Sequence, residues 1–365
     1  MIKKGLFVSL LVFISNFSIS QSIDLDTNLT DYEIKFRDSV TLINKYNEMI
    51  FHSRKEYNNG IEHFNNNNLN EAIQSFSNAI IIDSSFSKAY FYRAKCYDMF
   101  DDSLALIDYN IAFRYDSSDF SPIYSIAKIK SKSNIPEAIT QYNFIISLDK
   151  NEEKAYYELG VLFYLQMYFH KAITAFSSSL DLIKDARVFN DRASCYRMIG
   201  DVDLAIKDYI NAISLDSSLA FLYNNLASTY KYIDNFDSAL YYYNLAVNHD
   251  ENYIYALNNR AGMYIELDDL DNAMVDIDRV LLIDKNYAPA YNNKGVIHNK
   301  KKEYTKAVSF FDIAISIDNS YAKAYLNRGI TKQILRIEDE ACQDWLKASE
   351  LGINLAKNYF SNDCK

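Results

Sequence analysis

The segment FNDRASCYRMIGDVDLAIKDYINAISLD, residues 189–216, carries the pattern that decides the fold. Its second half places a small residue at Ala205, a large one four positions later at Tyr209, and another small one at Ala212. Offsets of 0, +4 and +7 fall on one face of an α-helix, so the pattern predicts a helix that packs through this face. The first half predicts a preceding helix, whose small residue is Ala193.

The alanine at position 205 belongs to a series with intervals of 33 or 34 residues. Its nine members are Ala72, Ala105, Ala138, Ala172, Ala205, Ala239, Ala273, Ala307 and Ala341. The residue four positions after each alanine is aromatic in eight of the nine cases, and a small residue precedes each alanine by eleven or twelve positions. A fixed period of this length predicts an array of helix-turn-helix repeats that share one continuous core.

This pattern resembles the tetratricopeptide repeat, which has a small residue in its first helix and an alanine followed by an aromatic in its second. The resemblance covers residues 53–351 in nine copies. It implies an all-α fold, a right-handed superhelical solenoid with terminal capping helices. The family's closing proline is missing, and aspartates such as Asp83 and Asp216 stand after the second helices. We expect these aspartates to cap the following helix.

The chain divides into four predicted segments: a signal peptide at 1–20, an N-terminal capping segment at 21–52, the repeats at 53–351 and a C-terminal capping tail at 352–365. Lys3 and Lys4 precede an apolar run from Gly5 to Ile14, and a small residue follows at Ser20. These features predict a secretory signal peptide cleaved after Ser20. The alternative is a short membrane anchor, although a span needs ~20 apolar residues.

The predicted signal peptide implies an exported protein, either periplasmic or secreted. Its cleavage would remove two lysines and take the net charge from −10 to −12. Such an acidic protein is a poor candidate for binding nucleic acid or an anionic membrane, and we expect no membrane insertion after cleavage. The charge favours basic or neutral polypeptide partners.

Export would place the four cysteines in an oxidising compartment. Cys342 and Cys364 are candidates for a disulfide that fixes the C-terminal tail to the last repeat, and two free thiols are the alternative. Closing a loop of this size contributes ~3 kcal/mol in the chain-entropy model. Cys96 and Cys195 occupy equivalent positions of separate repeats, so we expect them to be buried and unpaired.

Arginine and aspartate occur together in four of the nine repeats. The arginine directly precedes the small residue of the first helix, and the aspartate lies three positions after the alanine of the second. The pairs are Arg93 with Asp108, Arg192 with Asp208, Arg260 with Asp276, and Arg328 with Asp344. This matching predicts structural ion pairs between the two helices of a repeat. The alternative is a basic ladder for an acidic ligand.

The resemblance also implies that the first helices line an inner, concave groove. Three positions before the small residue, the first four repeats have aromatic residues and the next four have asparagine: Tyr57, Phe91, Tyr124, Tyr157, Asn190, Asn224, Asn258 and Asn292. The following position carries Asp191, Asn225, Asn259, Asn293 and Asn327. A carboxamide both donates and accepts hydrogen bonds, so this ladder suits an extended peptide. Alternatively, the asparagines contact the neighbouring repeat.

The sequence offers little for catalysis. It has no Gly-rich phosphate loop, no nucleophile elbow and no zinc-type histidine spacing. We therefore predict a non-enzymatic protein without metal or cofactor. The predicted function is a protein–protein interaction scaffold or adaptor of the cell envelope that binds an extended peptide or protein segment in its concave groove. The alternative is a structural subunit of an envelope or secretion complex, held by its convex surface and caps.

Overall fold

The computed structural model describes residues 31–364, which form nineteen α-helices and no β-strand. The predicted all-α fold is confirmed. The predicted signal peptide and the first ten residues of the predicted N-terminal cap lie outside the described residues. The chain divides into two compact units, Met1–Ile129 and Lys130–Lys365, which are described separately.

The first unit contains two helix pairs and most of a fifth helix. Its helices are α1 (Asp31–Asn65), α2 (Leu69–Ile82), α3 (Ser87–Tyr97), α4 (Asp102–Tyr115) and α5 (Ser121–Ser133), the last of which crosses the division between the units. A single helix, α1, therefore contains both the described part of the predicted capping segment and the first helix of the first repeat. Helix α1 packs on α2, and α3 packs on α4.

The second unit continues the same alternation of short helices. Its helices are α6 (Ile135–Leu148), α7 (Glu153–Leu165), α8 (Phe169–Leu182), α9 (Ala186–Ile199), α10 (Val202–Leu215), α11 (Ala220–Tyr232), α12 (Phe236–His249), α13 (Ile254–Glu266), α14 (Leu270–Ile283), α15 (Ala288–Lys300), α16 (Tyr304–Ile317), α17 (Ala322–Ile334), α18 (Glu338–Glu350) and α19 (Asn354–Asp363). From α7 to α18 each odd-numbered helix pairs with the next even-numbered one.

First helices of neighbouring repeats also contact one another in the second unit, from α7 against α9 to α15 against α17. They form a continuous surface, which we call the first-helix face and define by the positions three before, two before, one after and four after each small residue. The buried side of each pair is formed by the alanines and rings that the sequence pattern singled out. No helix within residues 31–364 has the length and apolar character needed to span a bilayer.

The small residue of the first helix is matched to the ring that packs on it. Where the small residue is glycine, its partner in the second helix is Phe or Trp: Gly60 with Phe76, Gly160 with Phe176, Gly295 with Phe311, and Gly329 with Trp345. A Cβ added to any of these glycines would lie 2.5–2.6 Å from the ring. Where it is alanine, the partner is Tyr or Ile, as in Ala193 with Tyr209 and Ala261 with Ile277. This matching was visible in the sequence, but we did not predict it.

In seven of the nine repeats, the turn between the two helices contains a residue in the left-handed backbone conformation. It lies five positions before the alanine, at Asn67, Met167, Gly200, Asp234, Asp268, Lys302 and Arg336. The N–H of Asn68 donates to the carbonyl of His63 at 2.9 Å, which closes the first helix as a Schellman motif. Only Gly200 avoids the Cβ strain of this conformation.

The aspartates that directly follow the second helices, such as Asp83 and Asp216, do not cap the next helix, so that prediction was wrong. Asp216 Oδ1 accepts from the backbone N–H of Ser218 at 2.9 Å and from its hydroxyl at 2.6 Å, whereas the next helix begins at Ala220. The carboxylate thus stabilises the turn itself. These two hydrogen bonds lower the pKa of Asp216. Asp83 binds Ser85 in the same way, so the turn holds its shape without the family's proline.

The C-terminal helix α19 covers the last repeat pair. Tyr359 stacks on Trp345 with ring centroids 5.1 Å apart, and Ala356 is fully buried. Cys342 and Cys364 form a disulfide with their Cα atoms 5.7 Å apart. The bond joins α18 to the end of α19, as expected for a staple of the terminal cap. Cys96 and Cys195 are free and buried.

Reduction of the Cys342–Cys364 bond is expected to release α19 from the last repeat. The two cysteines are 22 residues apart in the sequence, and closing a loop of this size contributes ~3 kcal/mol to stability. Because reduction removes this contribution, the backbone amides of α19 should lose most of their protection against hydrogen exchange. The variant Cys342→Ser/Cys364→Ser is the control. Because Cys96 and Cys195 are free thiols, this variant should exchange like the reduced protein, and added reductant should not change its exchange further. Unchanged exchange in α19 after reduction would show that ring stacking alone holds the cap.

Candidate functional site

The four predicted Arg–Asp pairs form two-point hydrogen bonds between the helices of a repeat. In the second unit, Arg192 Nε donates to Asp208 Oδ2 at 2.7 Å and its Nη2 donates to Oδ1 at 3.0 Å. The same geometry joins Arg93 to Asp108, Arg260 to Asp276, and Arg328 to Asp344. Each aspartate is buried, with 3–4% of its surface exposed. Burial is the largest single influence on Arg192 and opposes its charge, but the hydrogen bonds to Asp208 and the attraction of nearby negative charges, Asp208 first, together raise the pKa of the arginine.

Each arginine also binds the preceding repeat, through a residue that the sequence analysis missed. Its Nη1 donates to a side chain five positions after the preceding alanine: Ser77, Ser177, Asn244 or Asp312. Lys294 occupies the arginine position of another repeat and binds Asp278, the equivalent residue, at 2.7 Å. These cations therefore join three helices, which supports the structural interpretation over a basic ladder for an acidic ligand.

The predicted asparagine ladder bridges neighbouring repeats. In each step the Nδ2 of one asparagine donates to the Oδ1 of an asparagine in the preceding repeat, at 2.8–3.0 Å: Asn225 to Asn190, Asn259 to Asn224, Asn293 to Asn258, and Asn327 to Asn292. The accepting asparagines are buried. The structure thus shows the contact with the neighbouring repeat that was the alternative interpretation, and binding of an extended peptide by the ladder stays a prediction.

The hydrogen bonds at the start of the asparagine ladder involve Asp191. Asn190 Nδ2 donates to Asp191 Oδ1 at 3.0 Å, and the hydroxyl of Tyr157 in the preceding repeat donates to Asp191 Oδ2 at 3.1 Å. Burial raises the pKa of Asp191, although both hydrogen bonds oppose this shift. A half-buried carboxylate therefore stands where the later repeats have asparagine.

The aromatic candidates of the first-helix face are packed into their repeats. Tyr57 contacts Phe86 with ring centroids 5.0 Å apart, and burial raises its pKa to about 12. Phe91 lies 5.7 Å from the ring of Tyr109. Tyr124, like Tyr57 and Phe91, is half-buried. All three keep part of their surface exposed, so each packs within its repeat and also forms part of the first-helix face.

A cavity of about 250 Å³ opens beside Tyr157 in the second unit. It lies between α7, α8 and α9 and is lined by Tyr157, Val161, Tyr164, Phe176, Asp191 and Ser194. Tyr157 and Phe176 form one wall, with ring centroids 5.9 Å apart. The cavity combines apolar surface with a carboxylate and hydroxyl groups, which is typical of sites that hold one side chain of a ligand. The sequence analysis named Tyr157 and Asp191 but did not predict the cavity.

No clustered metal ligands occur within residues 31–364: no group of three or more His, Cys, Asp or Glu side chains could hold a metal ion there. Two of the described histidines pack on aromatic rings. His298 stacks on Phe310 at 4.9 Å and bonds Glu303 at 2.8 Å, and His249 stacks on Tyr223 at 4.7 Å.

Comparisons with known proteins agree with this architecture. The family model described as tetratricopeptide repeat matches residues 288–321. The crystal structure of the APC/C hetero-tetramer Cut9–Hcn1 is similar with a TM-score of 0.56 and 13% identity, over 86% of this chain and 76% of that one. A tetratricopeptide repeat protein from Parabacteroides merdae has a TM-score of 0.55 and 16% identity, over 68% and 99% of the two chains. No curated protein matches the sequence.

A third solved structure, the C-terminal part of a repeat-containing protein from Cytophaga hutchinsonii, has a TM-score of 0.53 and 20% identity, over 65% of this chain and 98% of that one. The helix pairs, the repeat match and these likenesses show a tetratricopeptide-repeat fold with about nine repeats. This fold is typically a non-catalytic scaffold for protein–protein interaction, and proteins that have it bind peptides or other proteins.

Proposed function

We propose that this chain is a non-enzymatic scaffold of the cell envelope that binds an extended segment of a partner protein along its first-helix face. The observation that carries the proposal is the cavity between α7, α8 and α9. It lies on that face, and its aromatic and carboxylate lining can fix one side chain of the segment. Neighbouring first helices contact each other, so the surface around the cavity is continuous.

Further support comes from the exposed parts of the same face. The donating asparagines of the ladder are half-buried, and three of them, Asn225, Asn259 and Asn327, each make one Nδ2 hydrogen bond to the neighbouring repeat. The second hydrogen can still donate to a peptide carbonyl. The ladder would then contribute to binding while it also holds the repeats together.

The proposed location rests on two features. The first is the signal-peptide pattern at residues 1–20. The second is the Cys342–Cys364 disulfide, since such bonds persist in oxidising compartments. The predicted charge of the mature chain favours a basic or neutral polypeptide over nucleic acid or an anionic membrane.

The second candidate function is that of a structural subunit held by its outer surface. Exposed apolar residues on the second helices favour it. Val275 and Leu282 lie two turns apart on one side of α14 and are 66% and 79% exposed. Ile81 of α2 is 80% exposed at the position equivalent to Leu282. Apolar side chains at such exposure can mark a contact surface.

One substitution placed on each surface separates the two functions. Val161→Arg would fill the cavity on the first-helix face, where its guanidinium can reach Asp191. Val275→Arg places the same side chain on the outer surface of α14. In capture of partners from envelope extract, we expect Val161→Arg to lose the partner and Val275→Arg to keep it. Circular dichroism would confirm that both variants retain helix content and melt cooperatively.

The reverse pattern, with the partner lost only from Val275→Arg, would overturn the groove proposal in favour of the outer surface. Substituting the asparagines is a weaker test. Removing Asn259, for example, would leave the buried Oδ1 of Asn224 without its donor, so lost binding and lost stability would be mixed.

A further inference from the structure

Asp191 is a half-buried carboxyl group with no cationic side chain paired to it within residues 31–364. The equivalent position of the next four repeats is asparagine, and each of these asparagines makes the bond to the preceding repeat. Asp191 makes its bond to Tyr157 as an acceptor. The adjacent Arg192 is engaged by Asp208. Within residues 31–364 no cationic side chain forms an ion pair with Asp191, and the neighbouring charge that acts on it is that of Asp185.

The cavity beside this carboxylate is aromatic. Tyr157, Tyr164 and Phe176 line it together with Asp191, and Val161 and Ser194 complete the wall. Aromatic ring faces attract cations, and the attraction grows when the cation is desolvated. A carboxylate with two hydrogen bonds still has free acceptor positions on its oxygens. The site therefore combines aromatic rings with a carboxylate that can pair with a cation.

We propose that this cavity binds the guanidinium group of an arginine side chain from the partner polypeptide. The proposal rests on the proposed function and adds to it the chemistry of the ligand at this position. Arginine fits because its planar guanidinium stacks on rings and presents several N–H donors to one carboxylate. The acidic net charge of the chain, −10 over the full sequence, also favours a basic partner.

The structural role of Asp191 does not require a charge. An asparagine could accept from Asn190 through its oxygen and donate to the Tyr157 hydroxyl through its nitrogen. Burial raises the pKa of Asp191, so the folded state disfavours the ionised carboxylate. An ionised Asp191 therefore lowers stability above its unfolded pKa, and Asp191→Asn should leave the melting temperature unchanged or raise it at neutral pH.

The test compares N-acetyl-arginine-N-methylamide with its citrulline counterpart, which has nearly the same shape and no charge. Binding is followed by NMR through the methyl groups of Val161, which line the cavity. We expect the arginine probe to shift these signals and the citrulline probe to bind more weakly by on the order of tenfold. Asp191→Asn should weaken binding of the arginine probe to a similar extent and leave the citrulline probe unaffected.

Asp185→Asn is the matched control. It removes the same charge from a carboxylate that acts on Asp191, and asparagine can still cap α9 as Asp185 does. This variant should bind the arginine probe nearly as well as the parent chain. An equal loss in both variants would show a general effect of net charge and overturn the site.

The results also separate this inference from the proposed function. If Val161→Arg abolishes partner capture but the arginine probe binds Asp191→Asn as tightly as the parent, the face binds a partner without an arginine site. If the probe behaves as expected while Val161→Arg captures the partner normally, the arginine site is real and the proposed use of the face is wrong. No methyl shift with either probe would overturn the inference.

Discussion

Replacing Asp208 with alanine is expected to destabilise the second unit by about 3–5 kcal/mol, because it leaves a buried arginine without its counterion. Arg192 is held between α9 and α10 with 18% of its side chain exposed, and Asp208 accepts from both its Nε and Nη2. After the substitution the guanidinium would keep its hydrogen bond to the Ser177 hydroxyl and its contacts with the rings of Phe189 and Tyr196. A single hydroxyl cannot replace a charge, so the cost should exceed that of an ordinary surface ion pair.

The chain itself supplies the control for this experiment. The repeat containing α7 and α8 has Leu159 and Ala175 at the positions of Arg192 and Asp208, and both are buried. The double variant Arg192→Leu/Asp208→Ala reproduces that apolar pair. We expect it to recover most of the lost stability, since replacing both members of a buried pair by apolar groups is often neutral.

Urea unfolding, followed by circular dichroism, would give the free energy of unfolding of the three proteins. The expected order places the parent and the double variant well above Asp208→Ala. A loss in the double variant as large as that of Asp208→Ala would show that the ion pair itself, and not the unpaired charge, accounts for the stability. In that case the pairs would be net contributors to the repeat.

The sequence predicted the elements that depend on local periodicity. The alanine series placed the repeats, and the co-occurrence of arginine with aspartate three residues after the alanine placed each ion pair. Both are pairings within one repeat, where the period fixes the partner's position. Besides its aspartate, each arginine binds a second residue, which lies in the preceding repeat and is Ser, Asn or Asp. Because the residue type at this repeat position varies, its sequence pattern is weak, and the sequence analysis missed this contact.

The asparagine ladder shows a different limit. Its spacing placed the amides correctly on the first helices, but spacing cannot tell whether an amide faces a ligand or the next repeat. That depends on how closely adjacent first helices approach, and here Asn225 and Asn190 come within 2.9 Å. The cavity beside Asp191 was also unpredictable, because it arises from residues of three helices that pack at one junction.

Replacing Phe311 with alanine is expected to destabilise the repeat of α15 and α16 by about 3–5 kcal/mol. Phe311 is fully buried, and its ring fills the space above Gly295. Loss of the ring would leave a cavity that the rigid helix pair cannot close, because glycine has no side chain to fill it from the other side. Thermal or urea unfolding would measure the loss.

A stronger test of this packing asks whether the effect of Gly295→Ala changes sign with its partner. A Cβ at position 295 would lie 2.6 Å from the Phe311 ring, so in the parent chain this substitution should cost about 1–3 kcal/mol by overpacking. In a Phe311→Ile background the same substitution should stabilise, because the smaller side chain leaves room for the methyl group. Alanine is also the better helix former by about 0.5–1 kcal/mol.

The pair so created copies Ala261 and Ile277, which are both fully buried in the preceding repeat. If Gly295→Ala costs the same free energy of unfolding in both backgrounds, the backbone requires the glycine, and close packing with the Phe311 ring does not. A reversal of sign would mean that small residue and ring are chosen together. The space between the two helices of a repeat would then be filled jointly by the small residue and its partner. A larger partner, Phe or Trp, requires Gly, whereas Tyr or Ile leaves room for Ala.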